Sequence, residues 1–144
     1  MTRKTQLSKT LINSYRVALY RVTGPDAAFV MKVKKFSEPL ADLMTRHKAE
    51  SALFITAENP FGKKTSSSDN LRALKALQTE LKSMGLRLWR GQGEDPSGGT
   101  WKAETSFLAL GLSLEDSKVL GEKYKQNAVI WADADAVPQL ILLR

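Results

Sequence analysis

The 144-residue chain contains no cysteine, which excludes a disulfide framework, a thiol nucleophile and a thiolate metal site. Its one histidine is His47, so a Ser-His-Asp triad and a histidine-built zinc centre are poorly served. No metal and no cofactor are expected. No apolar run approaches the ~18 residues that span a bilayer, and no membrane association is expected. Lack of cysteine fits a reducing compartment, and the cytoplasm is the expected location. Acid is also missing ahead of Asp26, where Arg3, Lys4, Lys9, Arg16 and Arg21 lie among serines and threonines. That is the composition of a mitochondrial transit peptide, but Tyr15 to Val22 already alternates as a strand does, which assigns the segment to the fold.

What is present suits one domain over residues 1–144, with residues 1–13 a short helix or flexible lead-in. Apolar residues make up 42% and charged residues 26%, close to the globular average, so neither a disordered nor a fibrous class is favoured. The net charge of +7 is uneven. Residues 1–50 hold ten Lys/Arg against four Asp/Glu, residues 51–100 seven against five, and residues 101–144 five against six. A basic N-terminal half can attract nucleic acid or another polyanion. No aromatic-basic repeat accompanies it, so such binding is expected to be weak and non-specific. The oligomeric state leaves no trace in the sequence.

Period-two alternation predicts a hairpin from Tyr15–Thr23 and Ala27–Val33 around Gly24-Pro25-Asp26, with a short helix over Ser8–Asn13 ahead of it. Leu11, Tyr15 and Leu19 also fit a helical period. Ser37 can cap a helix with Pro39 in its first turn and Leu40, Leu43, Met44 and His47 on one face. Ala52–Ala57 reads as a strand covered on both faces. Any of Ser67, Ser68 or Asp69 can cap a helix carrying Leu71, Leu74, Leu77, Leu81 and Met84 and ending at Gly85, with Arg72, Lys75 and Lys82 on its solvated side. A strand over Leu86–Arg90 is followed by a mobile loop over Gly91–Gly99, and strand patterning resumes from Trp101 to Leu112. Ser113 to Asp116 fits a capping box for a helix with Ser117, Leu120, Gly121 and Tyr124 on one side. Ala128–Ala132 and Gln139–Leu143 are the final strands. Helices interleaved with hairpins predict an α+β fold: a mixed or mainly antiparallel sheet of about six to seven strands with three main helices.

Gly62-Lys63-Lys64-Thr65, between a strand and a helix, invites comparison with a phosphate loop. Ala57 stands where that motif needs its first glycine and Lys64 where it needs a hydroxyl, so a looser anion site at Lys63 and Lys64 is the reading that survives. Asn59-Pro60 directly after an apolar strand is a sharper signal. Proline should hold Asn59 extended and aim its amide from the strand end, to meet a ligand or to tie down the turn.

Ile55-Thr-Ala-Glu-Asn-Pro60, then Ser68 and Asn70, Trp101-Lys-Ala-Glu-Thr-Ser106 and Lys125-Gln-Asn-Ala128 resemble, in that order, an uncharacterised bacterial family catalogued as domain of unknown function 3293. The likeness spans the chain from the first hairpin to the last strand. It implies a small stand-alone bacterial domain with no assigned activity. Glu58 departs from the pattern, which is more often aromatic or neutral at that place.

The motif residues make chemical sense together. Thr56, Asn59, Ser68, Asn70, Ser106, Gln126 and Asn127 are amides and hydroxyls at strand or helix ends around one carboxylate, Glu104. Strand alternation puts Glu104 on a face with Lys102, Ser106 and Leu108, and a carboxylate there needs a partner: Lys102 or an amide inside the protein, or a ligand amine or base edge. Gln126-Asn127 can equally cap a helix, with the asparagine left-handed. The leading reading is a domain that binds a small polar or phosphorylated, nucleotide-type ligand. Were it an enzyme, Glu104 would be the general acid/base and the amides would orient substrate. The rivals are a nucleic-acid or polyanion-binding module, and an interaction or structural domain whose amides serve internal hydrogen bonds.

Overall fold

The computed structural model describes residues 4–98 and 102–144. Ser8 opens α1 (Lys9–Val17), its hydroxyl accepting the Leu11 N–H at 3.1 Å. The first strand therefore starts later than its alternation suggests, because Tyr15, Arg16 and Val17 belong to the helix and β1 is Leu19–Gly24. Both periods fit Leu11, Tyr15 and Leu19, and the serine cap favours the helix. β2 (Ala27–Met31) returns antiparallel to β1. α2 (Glu38–Arg46) is capped by Ser37, whose hydroxyl accepts the Leu40 N–H at 3.2 Å, and it buries Leu40, Leu43 and Met44.

β3 (Ala52–Thr56) leads through a 3₁₀ turn at Pro60–Gly62 into α3 (Ser67–Ser83). The cap of α3 is Ser66, which accepts the Asp69 N–H at 3.1 Å. Ser67, Ser68 and Asp69 are already helical, because the last extended residue is Ser66 at φ −65°, ψ 154°. Leu74, Leu77 and Leu81 are buried, whereas Leu71 and Met84 at the two ends are exposed. α4 (Leu114–Lys123) starts at Ser113, which accepts the Asp116 N–H at 3.1 Å.

β4 (Arg87–Glu94) is longer than the sequence suggests. Gly91 to Glu94, expected in a mobile loop, pair with Leu19–Val22 on one side, and Gly91 to Gly93 pair with Glu104–Ser106 on the other. Glycine is poor strand material in general. Here it is required, since a Cβ on Gly91 would lie 2.3 Å from the Arg21 carbonyl oxygen and 2.9 Å from the Phe54 ring. β5 is Glu104–Leu110, β6 Ala128–Ala132 and β7 Gln139–Leu142. Gly99 and Trp101 lie outside the described residues.

Among the described residues seven strands form one sheet in the order β2-β1-β4-β5-β3-β6-β7, every neighbouring pair antiparallel. With the four α-helices of the described residues, the fold is α+β. One face sets Tyr20, Phe54, Trp89, Leu108 and Ile130 against α2. The other sets Leu53, Ile55, Phe107 and Val129 against Leu77 and Leu81 of α3 and Leu120 of α4. Each such leucine, fully buried, contributes about 2 kcal/mol. The sheet curls toward the α2 side: Met31 at one edge shares a cluster with Ile130 and Ala132 near the other, and the Lys34 N–H reaches the Pro138 carbonyl at 2.8 Å. α3 and α4 are joined by Glu80, which takes the Lys123 ammonium at 2.9 Å and the Tyr124 hydroxyl at 2.8 Å. Burial, helped by that carboxylate, pushes the Tyr124 hydroxyl up to about 12.

Candidate functional site

Because β3 is antiparallel to both β5 and β6, the end of β3 meets the beginnings of the other two at one end of the sheet. The start of α3 joins them through Asn59 and Asn70. The Asn59 backbone N–H donates to Asn70 Oδ1 at 2.9 Å, and the Asn70 amide returns a bond to Asn59 Oδ1 at 3.2 Å. Thr65 closes the ring, its N–H donating to Asn59 Oδ1 at 3.1 Å and its hydroxyl to Asn70 Oδ1 at 2.9 Å.

Asn59 is not extended. It sits at φ 49°, ψ 67°, followed by Phe61 at φ 57° and Gly62 at φ 75°. Asparagine tolerates the left-handed region, and the reciprocal amide bonds outweigh the extended preference imposed by Pro60. Phe61 has no such intrinsic tolerance. Its N–H donates to the Lys125 carbonyl at 2.7 Å, and the Arg144 guanidinium lies 4.2 Å from its ring centroid, so the turn is pinned from both sides.

The Asn59 side-chain amide serves Glu104, its Nδ2 donating to Glu104 Oε2 at 2.9 Å. The partner of this partly buried carboxylate is thus an amide and not Lys102, which is exposed. Among the described residues Oε1 of Glu104 accepts no hydrogen bond. Burial raises the pKa of Glu104 above the usual glutamate range, the Asn59 bond opposes that, and the nearby Glu58 charge adds to it. Glu58 itself is used structurally, accepting the Thr105 N–H.

The other motif residues are mostly committed to the fold. The Thr56 hydroxyl donates to the Thr105 carbonyl at 2.7 Å, and buried Ser106 donates to the Glu104 carbonyl at 3.2 Å. Gln126 Nε2 reaches the Glu58 and Tyr124 carbonyls, at 3.2 and 3.1 Å. Asn127 Nδ2 donates to the Tyr15 hydroxyl, and its Oδ1 accepts from Arg144, both at 3.2 Å. The left-handed residue after α4 is Lys125, at φ 57°, and not Asn127, because the Gln126 N–H must turn back to the Gly121 carbonyl at 3.0 Å to close the helix. Ser68 stands apart, exposed in the first turn of α3 with its hydroxyl 3.3 Å from that of Ser66. Lys63 and Lys64 are exposed on the loop.

Tyr15 is the member of this cluster that the sequence hid. Its hydroxyl accepts from Asn127, and its own proton has no acceptor among the described residues. Burial, together with the Glu104 charge, raises its pKa. Read as a strand residue, Tyr15 pointed nowhere near Glu104; a serine followed by a helical period was the available signal. Thr65 and Arg144 carried no signal. Among the described residues no group of three or more acidic or histidine side chains could hold a metal, and no helix is long and apolar enough to cross a membrane.

No curated protein and no solved structure matches the chain. A family match does exist, over residues 55–129. It covers all the quoted motifs but stops short of the first hairpin and ends two residues into β6, so the likeness is narrower than a span from the first hairpin to the last strand. Every motif residue of the polar cluster falls inside it, from Thr56 to Asn127, while Tyr15 and Arg144 fall outside. The chain belongs to the family described as Protein of unknown function (DUF3293).

Proposed function

We propose that the chain is a single ligand-binding domain whose site lies at this polar end of the sheet and takes a small polar molecule carrying both a donor and an acceptor. The observation that carries the reading is Glu104: Asn59 fixes one carboxylate oxygen while the other accepts nothing from the described residues. The Tyr15 hydroxyl offers a donor in the same cluster. A primary amide or the amino-carbonyl edge of a pyrimidine has the matching pair. Lys63 and Lys64 would meet a phosphate carried by such a ligand. The strained turn at Asn59 and Phe61 supports a site here, since unfavourable backbone is retained where the surroundings demand a geometry. In this reading Asn59, Asn70 and Gln126 hold the site in place without touching the ligand. A second reading, that the whole cluster is a structural lock, draws support from the reciprocal Asn59–Asn70 bonds.

The test is an NMR titration with acetamide and cytosine. The expected result is saturable movement of the Asn59 and Asn70 side-chain amide signals with at least one probe, lost in Glu104→Gln. Static amide signals with both would favour the structural lock.

A further inference from the structure

At the opposite end of the sheet the β1–β2 turn, the C-terminal end of α2 and the first half of β4 enclose an open cleft of about 420 Å³, within the range of small-molecule sites, ~300–1,000 Å³. Gly24, Asp26, His47, Arg87 and Trp89 line it. Trp89 is buried, with its indole N–H donating to Asp26 Oδ1 at 3.0 Å. His47 ends α2 and stands edge-on to the same indole, with centroids 5.2 Å apart and planes at 61°. Together they make an aromatic wall. Gly24 lets the indole lie against β1, since a Cβ there would come within 2.6 Å of its Cδ1.

Asp26, Arg87 and Arg90 bring opposite charges to the cleft without neutralising each other. All three are exposed, the Arg90 guanidinium lying 5.9 Å from the Phe107 ring centroid, and none takes part in an ion pair among the described residues. Asp26 Oδ2 accepts no hydrogen bond from them, because the indole uses only Oδ1. A carboxylate and a guanidinium that face one concavity unpaired are complementary to a ligand with the reverse arrangement.

We propose that this cleft binds a zwitterion with an apolar or aromatic body: an ammonium on Asp26, a carboxylate on Arg87, and the body against His47 and Trp89. A free aromatic amino acid and a short peptide share that chemistry. The guanidinium can take the carboxylate bidentately, and the aromatic wall supplies contact area that glycine would not use. The site is separate from the Glu104 cluster and does not depend on it.

The experiment titrates the protein with L-phenylalanine, glycyl-L-phenylalanine, glycine, phenethylamine and phenylacetate, following the Trp89 indole N–H and His47 ring signals by NMR. L-Phenylalanine or the dipeptide should bind saturably, and the tighter of the two identifies the source. Phenethylamine, without the carboxylate, and phenylacetate, without the ammonium, should each bind at least tenfold more weakly, and glycine should bind more weakly than phenylalanine. Arg87→Gln should abolish the preference over phenethylamine. Asp26→Asn, which keeps an oxygen for the indole N–H, should abolish the preference over phenylacetate. The proposal is overturned by absence of saturable binding for both phenylalanine and the dipeptide, by phenethylamine binding as well as phenylalanine, or by Arg87→Gln binding like the parent while its amide spectrum reports an intact fold.

Discussion

Where β3 leaves the sheet and β5 enters it, Asn59, Asn70, Thr65 and Gln126 direct their side chains at one another or at backbone. Where β1 turns into β2, Asp26 and Arg87 face a cleft and leave each other unpaired. Both ends are rich in polar residues, and residue type alone does not separate them. The difference lies in where the hydrogen bonds go. Groups satisfied inside the protein set the shape of a turn, whereas groups left open in a concavity are available to something else. Glu104, with one oxygen in each condition, and Tyr15, whose hydroxyl proton has no acceptor among the described residues, are the exceptions at the first end.

Glycines sharpen the comparison and carry the largest expected effect. Gly91 on β4 admits the Phe54 ring and the Arg21 carbonyl, and Gly24 at the cleft admits the Trp89 indole. A Cβ on Gly91 meets backbone that cannot move without breaking the β1–β4 pairing, so Gly91→Ala should cost about 3 kcal/mol or more. Gly24→Ala meets a side chain and should cost less, about 1–3 kcal/mol, while disturbing the indole–Asp26 bond. Urea unfolding of the two variants measures the order. A larger loss at Gly24 would place the tighter packing at the cleft end.

The next effect belongs to Asn59. Asn59→Ala removes the bonds to Glu104, Thr65 and Asn70 and puts alanine at φ 49°, which should cost about 2–4 kcal/mol. Asn59→Gly loses the same side-chain bonds but accepts the backbone, and should recover about 1 kcal/mol of that loss. Equal stabilities for the two variants would mean that the turn carries no strain. A loss below about 0.5 kcal/mol in both would remove the structural part of the comparison altogether.

Much of this was legible. The hairpins, the alternation of helices with strands and the serine caps at Ser37 and Ser113 follow from local pattern, because caps and periodicities are short-range, whereas Thr56, Asn59, Asn70, Glu104, Gln126 and Asn127 are grouped by the family resemblance and not by any local pattern. What stayed hidden depended on contacts distant in sequence. Gly91 to Glu94 read as a loop because the reason for glycine at position 91 lies on β1 and β3, in the Arg21 carbonyl and the Phe54 ring. Asn59 read as extended because the amide that holds it left-handed comes from Asn70. The cleft was invisible, since Asp26, His47 and Trp89 come from three separate segments and His47 alone looked like a packing residue.

Glu104 carries the smallest expected effect and the one that separates its two oxygens. Burial raises its pKa in the folded chain above the ordinary value of 4.5, more than the Asn59 bond lowers it. A carboxyl group with a raised folded pKa holds its proton more tightly when folded than when unfolded. Ionising it therefore costs the folded state nothing below pH 4.5, progressively more as pH rises through the folded pKa, and the full amount at neutral pH. Glu104→Gln removes that cost and keeps an oxygen to accept the Asn59 Nδ2–H. Its melting temperature should equal or exceed that of the parent at pH 7, and the gain should fade as pH falls toward 4.5. If the charge were instead held as a structural acceptor, neutralising it would weaken the bond to Asn59 and lower the melting temperature at pH 7. A thermal unfolding series from pH 4 to pH 8 on parent and variant tells the two apart. A clear drop at neutral pH would join Glu104 to the internally satisfied groups and leave the cleft at Asp26 and Arg87 as the end of the sheet that is open to a ligand.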